Sequence, residues 1–412
     1  MNRLFIIGNG FDLAHGLPTS YNHFINDFWG NLQNTFHKDV HKEILFIDES
    51  YLGIFDYIEP TTNFNNHVEN LKEYAKNRNL DFNDKSYTLR DRSSSFRSFF
   101  EFKNNFFLLI NKNQSIDSWV DIEDLYYSEL KKIVKSESLD TRSTPEEWER
   151  VKKANVKKLN QEFHCIKLLL VEYLKRVIAS YDFNYDSKRQ WVKYHNILKP
   201  ISILNSEKGI LKEFNDFSDK NLVKSFYENQ KESSEPKSIS YFLSFNYTPS
   251  LSRYINSLSE EGFDIRLNQI HGKVNEDIVF GFGDESDEDY PLIENINNNE
   301  YLTFFKSFNY LENDRYNNFL NFIDSSPFQL IVMGHSLGLS DRVLLKTVVE
   351  NENCKSIKTY YHQGESVDNF REIIQNLSRH FSDKSLMRKK VVNKLYCTPL
   401  PQITMPLKIK NS

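Results

Sequence analysis

Short apolar runs stand at both ends of the chain, while longer stretches of helical periodicity fill its middle. Residues 3–8 (RLFIIG) form a β-rich run stopped by glycine, and residues 240–245 (SYFLSF) form a second. Residues 266–270, 278–281 and 329–333 read as further short strands, and 357–362 as the last, followed by an amphipathic segment over 367–381. Short buried strands separated by helices predict an α/β fold with a doubly wound, mostly parallel sheet. Pro249, just after the second run, suits a first helical turn.

In the middle, residues 121–134 and 146–178 carry apolar positions at helical spacing with charged faces between them. Thr144-Pro145-Glu146-Glu147 predicts a helix start, with Thr as N-cap, Pro at the first helical position and Glu at the third. Residues 76–98 are polar and expected to be a long loop; 229–238, with Pro236, reads as the return to the sheet. The pattern predicts one sheet domain from 1–24 and 236–412, with a mainly helical insert over 25–235.

Glycine sharpens this division. Of 13 glycines in 412 residues, Gly8, Gly10 and Gly16 open the chain and seven lie between 262 and 364. Only Gly30, Gly53 and Gly209 fall between them. Glycine concentrates where backbone turns tightly or approaches another group closely, so the ends and the middle are different kinds of structure. A net charge of −5 supplies no global basic field, and nucleic acid is not an expected partner. Three scattered cysteines, Cys165, Cys354 and Cys397, fit neither a disulfide framework nor a zinc site and indicate a reducing compartment. No run reaches the ~18 apolar residues of a membrane span, and the N-terminal apolar stretch is too short for a secretion signal. A cytoplasmic protein without membrane partners is expected.

The strongest motif is IIGNGFDLAHGLPTSY, residues 6–21, a strand running into three glycines. Such a turn lets backbone N–H groups meet a phosphate ahead of a helix N-terminus. The spacing is GxGx5G rather than the dehydrogenase GxGxxG. On this reading Gly8, Asn9, Gly10 and Phe11 border a nucleotide.

The same segment resembles the opening box of the sirtuin superfamily, G-A-G-x-S-x-x-x-G-I-P-x-F-R, with Gly8, Gly10, Gly16 and Pro18 in register. Ser244-Phe245-Asn246-Tyr247-Thr248 resembles the sirtuin T-Q-N-I-D box, His271-Gly272 its H-G, and Gly334-His335-Ser336 its G-T-S. More closely, FIIGNGFDLAHGLPTSY (5–21), Trp119-Val120-Asp121-Ile122-Glu123, Phe245-Asn246-Tyr247-Thr248 and Gly334-His335-Ser336-Leu337 resemble boxes of the AbiH family of phage abortive-infection proteins. Together these resemblances imply a sirtuin-like, Rossmann-type sheet that binds NAD as a substrate. They imply cleavage of the nicotinamide–ribose bond during antiphage defence. Thr248 stands where sirtuins carry an Asp, and there is no four-cysteine set. Neither lysine deacetylation nor a zinc module therefore follows.

In this reading His271 is the general base or ribose partner, Asn246 orients nicotinamide or water, and Asp12 orients the ribose or stabilises positive charge at the anomeric carbon. Ser244, Gly334, His335 and Ser336 join the glycine loop around the nucleotide. Each has a plainer reading beside it: Asn246 and Asp12 as turn or N-cap residues, His271 as a hydrogen-bonded structural histidine. Asp121 and Glu123 read first as helix-start charges. The acidic run 284–289 (DESDED) reads as a solvated loop. No HExxH or CxxC pair exists, so no metal is expected. Two other functions stay open: a non-catalytic nucleotide or ADP-ribose sensor, and a nuclease-type effector hinted at by Lys131, Lys132 and 150–158. A phage-derived trigger and self-association are compatible with all three.

Overall fold

A computed structural model describes residues 1–48, 62–92, 97–113, 116, 118–137, 144–184, 191–201, 207–231 and 238–408. The chain divides into two compact units, one of residues 1–19, 174–287 and 305–412, the other of 20–173 and 288–304.

The first unit is built on five parallel strands: β1 (Asn2–Ile7), β6 (Ile239–Ser244), β7 (Asp264–Gln269), β8 (Phe328–Met333) and β9 (Cys354–Tyr360). Their order is β7-β6-β1-β8-β9, so the chain winds outward from β1 in one direction and then in the other. Alternation along β1 explains why it lies at the centre. Leu4 and Ile6 enter a core with Leu243, Leu330 and Val332; Phe5 and Ile7 enter the opposite core with Phe242, Ile331 and Met333. Residues 4–7 of β1 are buried on both faces and all apolar, which is why they read as a continuous run. Residues 278–281, expected as a strand, are not one. They are buried and irregular, with Val279 donating to the His271 carbonyl at 2.9 Å. A short apolar run is equally at home in a packed loop.

The second unit is mainly helical, but it also carries an antiparallel sheet, β2 (Leu45–Ile47), β5 (Ser98–Phe102), β4 (Thr88–Arg90) and β3 (Asp81–Asn83), in that order. Within 76–98, expected as a loop, lie β3, β4 and the start of β5. These strands are short and half-exposed, so few apolar residues advertise them; Asn83 Oδ1 accepts the Lys85 and Ser86 N–H groups at the turn between them. The helix Trp119–Lys135 starts at a capping box between Ser118 and Asp121. That places Asp121 as a helix-start charge, while Glu123 is buried one half-turn later. Thr144 and Glu147 form the expected capping box of the helix Pro145–Ser180, their reciprocal bonds being 3.2 and 2.9 Å. Lys131 and Lys135 pair with Asp289, and Lys132 with Glu129. The return segment 229–238 falls outside the described residues over 232–237.

In the acidic run, Asp284 is not solvated. It is 3% exposed and pairs with Arg342 at 3.0 Å. No helix among the described residues is long and apolar enough to cross a membrane. None of their His, Cys, Asp and Glu side chains gather in a group of three or more able to hold a metal.

Candidate functional site

The loops following β1, β6, β7 and β8 carry the residues singled out in the sequence, and in a parallel sheet all four leave from the carboxyl edge. Ligands of such sheets bind outside that edge, where the strand order reverses; here the reversal lies between β1 and β8.

At that point the glycine loop and the Gly334 turn meet backbone to backbone. Gly8 donates to the Met333 carbonyl at 3.1 Å, Gly10 to the Gly334 carbonyl at 2.7 Å, and Phe11 to the Gly8 carbonyl at 2.8 Å. A Cβ built on Gly334 would lie 2.1 Å from the Phe11 nitrogen, and one on Gly10 would lie 2.8 Å from the Gly334 Cα. Gly334 also has φ +69°, a region that L side chains rarely adopt. Contact between two loops thus explains these glycines, and three of their N–H groups donate inward rather than toward a ligand. The Phe11 ring is fully buried against His15, Tyr194 and Tyr254. Asn9 is half-buried and Ser336 exposed, and the Ser336 carbonyl accepts from Asn376.

Two hydrogen-bonded groups flank this contact. In the first, Asp12 is 1% exposed in the helix Asn9–Ala14. Its Oδ1 accepts from Asn246 Nδ2 at 2.9 Å and from Ser250 Oγ at 2.5 Å, and its Oδ2 from Thr248 Oγ1 at 2.6 Å. Burial pushes its carboxyl up to about 6, against the partly compensating bonds from Ser250, Thr248 and Asn246. Asn246 Nδ2 donates its second hydrogen to the Gly8 carbonyl at 3.1 Å, which orients the amide by both donors. Thr248 therefore serves as a donor to Asp12. Ser244, 2% exposed, accepts the Asn246 N–H at 3.3 Å and shapes the turn.

The second group centres on Asp341, which sequence reasoning missed, together with Lys306. Both are nearly fully buried, and Lys306 Nζ lies 2.9 Å from Asp341 Oδ1. His271 Nε2 lies 3.3 Å from the same oxygen and 3.1 Å from Tyr310 Oη; His335 Nε2 lies 3.7 Å from Asp341 Oδ2. Burial alone would raise the Asp341 carboxyl, but Lys306, then His271 and His335, hold it well below the usual range. Burial lowers both imidazoles, His335 to about 4, with Asp341 opposing the shift. Both rings are neutral near pH 7, and their partners assign the tautomers. His335 Nδ1 accepts the Leu337 N–H at 2.9 Å, so its lone pair is engaged. His271 directs Nε2–H at Asp341, leaving Nδ1 as its basic atom. Among these groups, His271 is the imidazole equipped to take a proton.

The two groups join through adjacent residues. Phe245 packs edge-on against His271 and His335, with centroids 4.9 and 4.3 Å away, and the next residue, Asn246, turns to Asp12. Asn246 and His271 thus belong to different hydrogen-bonded groups. His15 is fully buried, bonded to the Phe11 carbonyl and Tyr254 Oη. Leu337, at φ +56°, is held on both sides, by His335 at its N–H and by His380 Nε2 at its carbonyl. No sequence signal marks Lys306, Asp341 or His380, because none of them belongs to a motif or a periodic pattern in its own segment.

No curated protein matches the chain. A model of the family described as bacteriophage abortive infection AbiH matches residues 4–363, which include Asp12, Asn246, His271, Lys306, His335 and Asp341. The chain therefore belongs to the AbiH family, whose role is phage defence by abortive infection.

Proposed function

We propose that this defence protein is an NAD hydrolase, with a Rossmann-like sheet holding NAD outside the ends of β1, β6, β7 and β8. The observation that carries the reading is the His271 imidazole: neutral, backed by the Asp341–Lys306 pair, and with Nδ1 uncommitted. In the reaction water adds to the anomeric carbon and the carbon–nitrogen bond to nicotinamide breaks. Nicotinamide leaves with the bonding electron pair, and His271 Nδ1 takes the water's proton. Asn246, its Nδ2 donors occupied, offers Oδ1 to the nicotinamide carboxamide or the water. Asp12, once ionised, stabilises positive charge developing at the anomeric carbon. The likeness of the four loop boxes to those of sirtuins supports NAD over other nucleotides.

Incubating the protein with NAD and measuring released nicotinamide tests this. His271→Ala is expected to lower turnover by ~10²–10⁴-fold, as for loss of a general base, while retaining NAD binding. Absence of nicotinamide release from the unaltered protein sinks the hydrolase. A second reading is then favoured, a nucleotide or ADP-ribose sensor, because Thr248 and Asn246 both spend hydrogen bonds on Asp12.

A further inference from the structure

Strand β7 is the edge of the parallel sheet among the described residues, paired with β6 alone. Along it runs an open groove of about 540 Å³, within the size range of ligand clefts. Residues 266–269 all line this groove. Side chains of a strand alternate between its faces, so four consecutive residues share one groove only when it follows the hydrogen-bonding edge. The facing wall is one stripe of the helix Arg315–Ser325, where Asn318, Asn321, Phe322 and Ser325 recur at three- and four-residue spacing.

The walls are tied together. Asn268 Nδ2 donates to Tyr241 Oη at 2.8 Å and to the Arg315 carbonyl at 2.7 Å, and Tyr241 stacks on Phe322 at 4.3 Å. The groove is therefore preformed, which lowers the ordering cost of binding. Leu267, 39% exposed on the edge strand, offers an apolar contact beside the backbone.

We propose that this groove binds an extended, acidic peptide segment of another protein, which adds as a further strand to β7 against the helix stripe. Charge selects the partner. Arg266, Lys273 and Arg315 line the groove against one acid, Asp314. Lys273 makes no ion pair among the described residues. Arg266 pairs with Asp264 at 3.2 Å and Arg315 pairs with Glu276, both at the surface. Surface pairs contribute little, so either guanidinium exchanges its partner for a peptide carboxylate at small cost. The amides of Asn318 and Asn321 face the incoming chain's side chains with further donors. None of Asp12, Asn246, His271 or Asp341 lines this groove, so the inference stands or falls independently of NAD hydrolysis.

The test uses the full chain and a fluorescein-labelled peptide of about ten residues of alternating Asp and Val, followed by anisotropy. Two comparison peptides replace Asp by Lys throughout, or every second Val by Pro to remove the donors that a β-ladder needs. The Asp–Val peptide is expected to bind saturably, with the Lys–Val and proline-containing peptides at least tenfold weaker. The double variant Arg266→Glu, Lys273→Glu, altered at two exposed positions, is expected to lose at least tenfold in affinity. Amide hydrogen exchange over 264–269 is expected to slow when the Asp–Val peptide saturates. Failure of that peptide to bind overturns the proposal. So does equal binding of the proline-containing peptide, or protection that appears elsewhere and leaves 264–269 unchanged. Should the double variant not fold, the peptide comparisons and the exchange pattern on the unaltered chain decide the matter.

Discussion

Asp12 and His67 show how much a single buried polar side chain depends on what surrounds it. Asp12 is raised to about 6 by burial despite three donors. A carboxyl whose folded-state value lies above its unfolded one binds more protons when folded between about pH 4 and 6. Its contribution is therefore present at the acid end of that window and lost as pH rises through 6. Asp12→Asn removes this titration, so the variant's melting temperature relative to the parent is expected to rise between pH 4.5 and 7.5. A constant difference across that range would mean that Asp12 keeps an ordinary value. His67 is the opposite case. It is 1% exposed between Trp29 and Phe100, and neither ring nitrogen has a hydrogen-bond partner. Burying unpaired polar atoms costs on the order of 1–3 kcal/mol. His67→Phe, which keeps the aromatic contacts and removes both atoms, is expected to raise the melting temperature. A drop would show that the ring nitrogens are satisfied in solution.

At the scale of elements, the glycine turns govern how two loops approach. From the sequence, Gly10→Val is expected to remove nucleotide binding from a protein that still folds. The packing predicts a different outcome: the new side chain meets the Gly334 backbone, so the fold itself suffers. Gly334→Ala is harsher, combining the 2.1 Å approach to the Phe11 nitrogen with φ +69°. Its cost is expected to exceed the ~1–2 kcal/mol of a left-handed residue alone, visible as a large fall in melting temperature or insoluble expression. A Gly334→Ala protein as stable as the parent would refute this loop contact. Capping behaves more simply. Thr144→Ala leaves the Glu147 N–H without its side-chain acceptor and is expected to cost about 1 kcal/mol of helix stability, checked by denaturant unfolding. The sequence displays that cap, because a cap is a contact among residues three apart. It also displays β1, β6 and β8, whose apolar runs are long enough to read, and more faintly β7 and β9, which mix polar and apolar residues. It hides β3 and β4, where three-residue strands leave almost no periodicity.

For the molecule as a whole, buried histidines outweigh Asp12 in setting acid stability. His15 and His335 in the sheet unit and His67 in the helical unit are lowered by burial to about 4, 4 and 3. A base with a depressed folded-state value leaves the unfolded state binding more protons between about pH 4 and 6.5. Stability is then complete above 6.5 and lost as pH falls. These rings, with His195, His271 and His380 shifted the same way, outnumber the raised carboxyls of Asp12 and Asp219 and predict net acid destabilisation in both units. Thermal melts at pH 7 and pH 5 are expected to show each unit unfolding earlier at pH 5. A melting temperature that holds or rises on acidification would mean that these rings are solvated or paired.

The sequence by itself determined the parallel strands, the glycine turns, the long helices and their caps, and the order of the strand-end boxes. All of these rest on local periodicity, backbone freedom, or contacts a few residues apart. Only the tertiary structure decided which chemistry those boxes hold. Asp12 meets Thr248 and Ser250 across more than 230 residues, and Lys306 and Asp341 stand beside His271 through loops with no periodic signature. The same holds for the groove along β7: an edge exists only once the order of strands is set, and that order depends on which apolar faces pack together, not on any one run of residues.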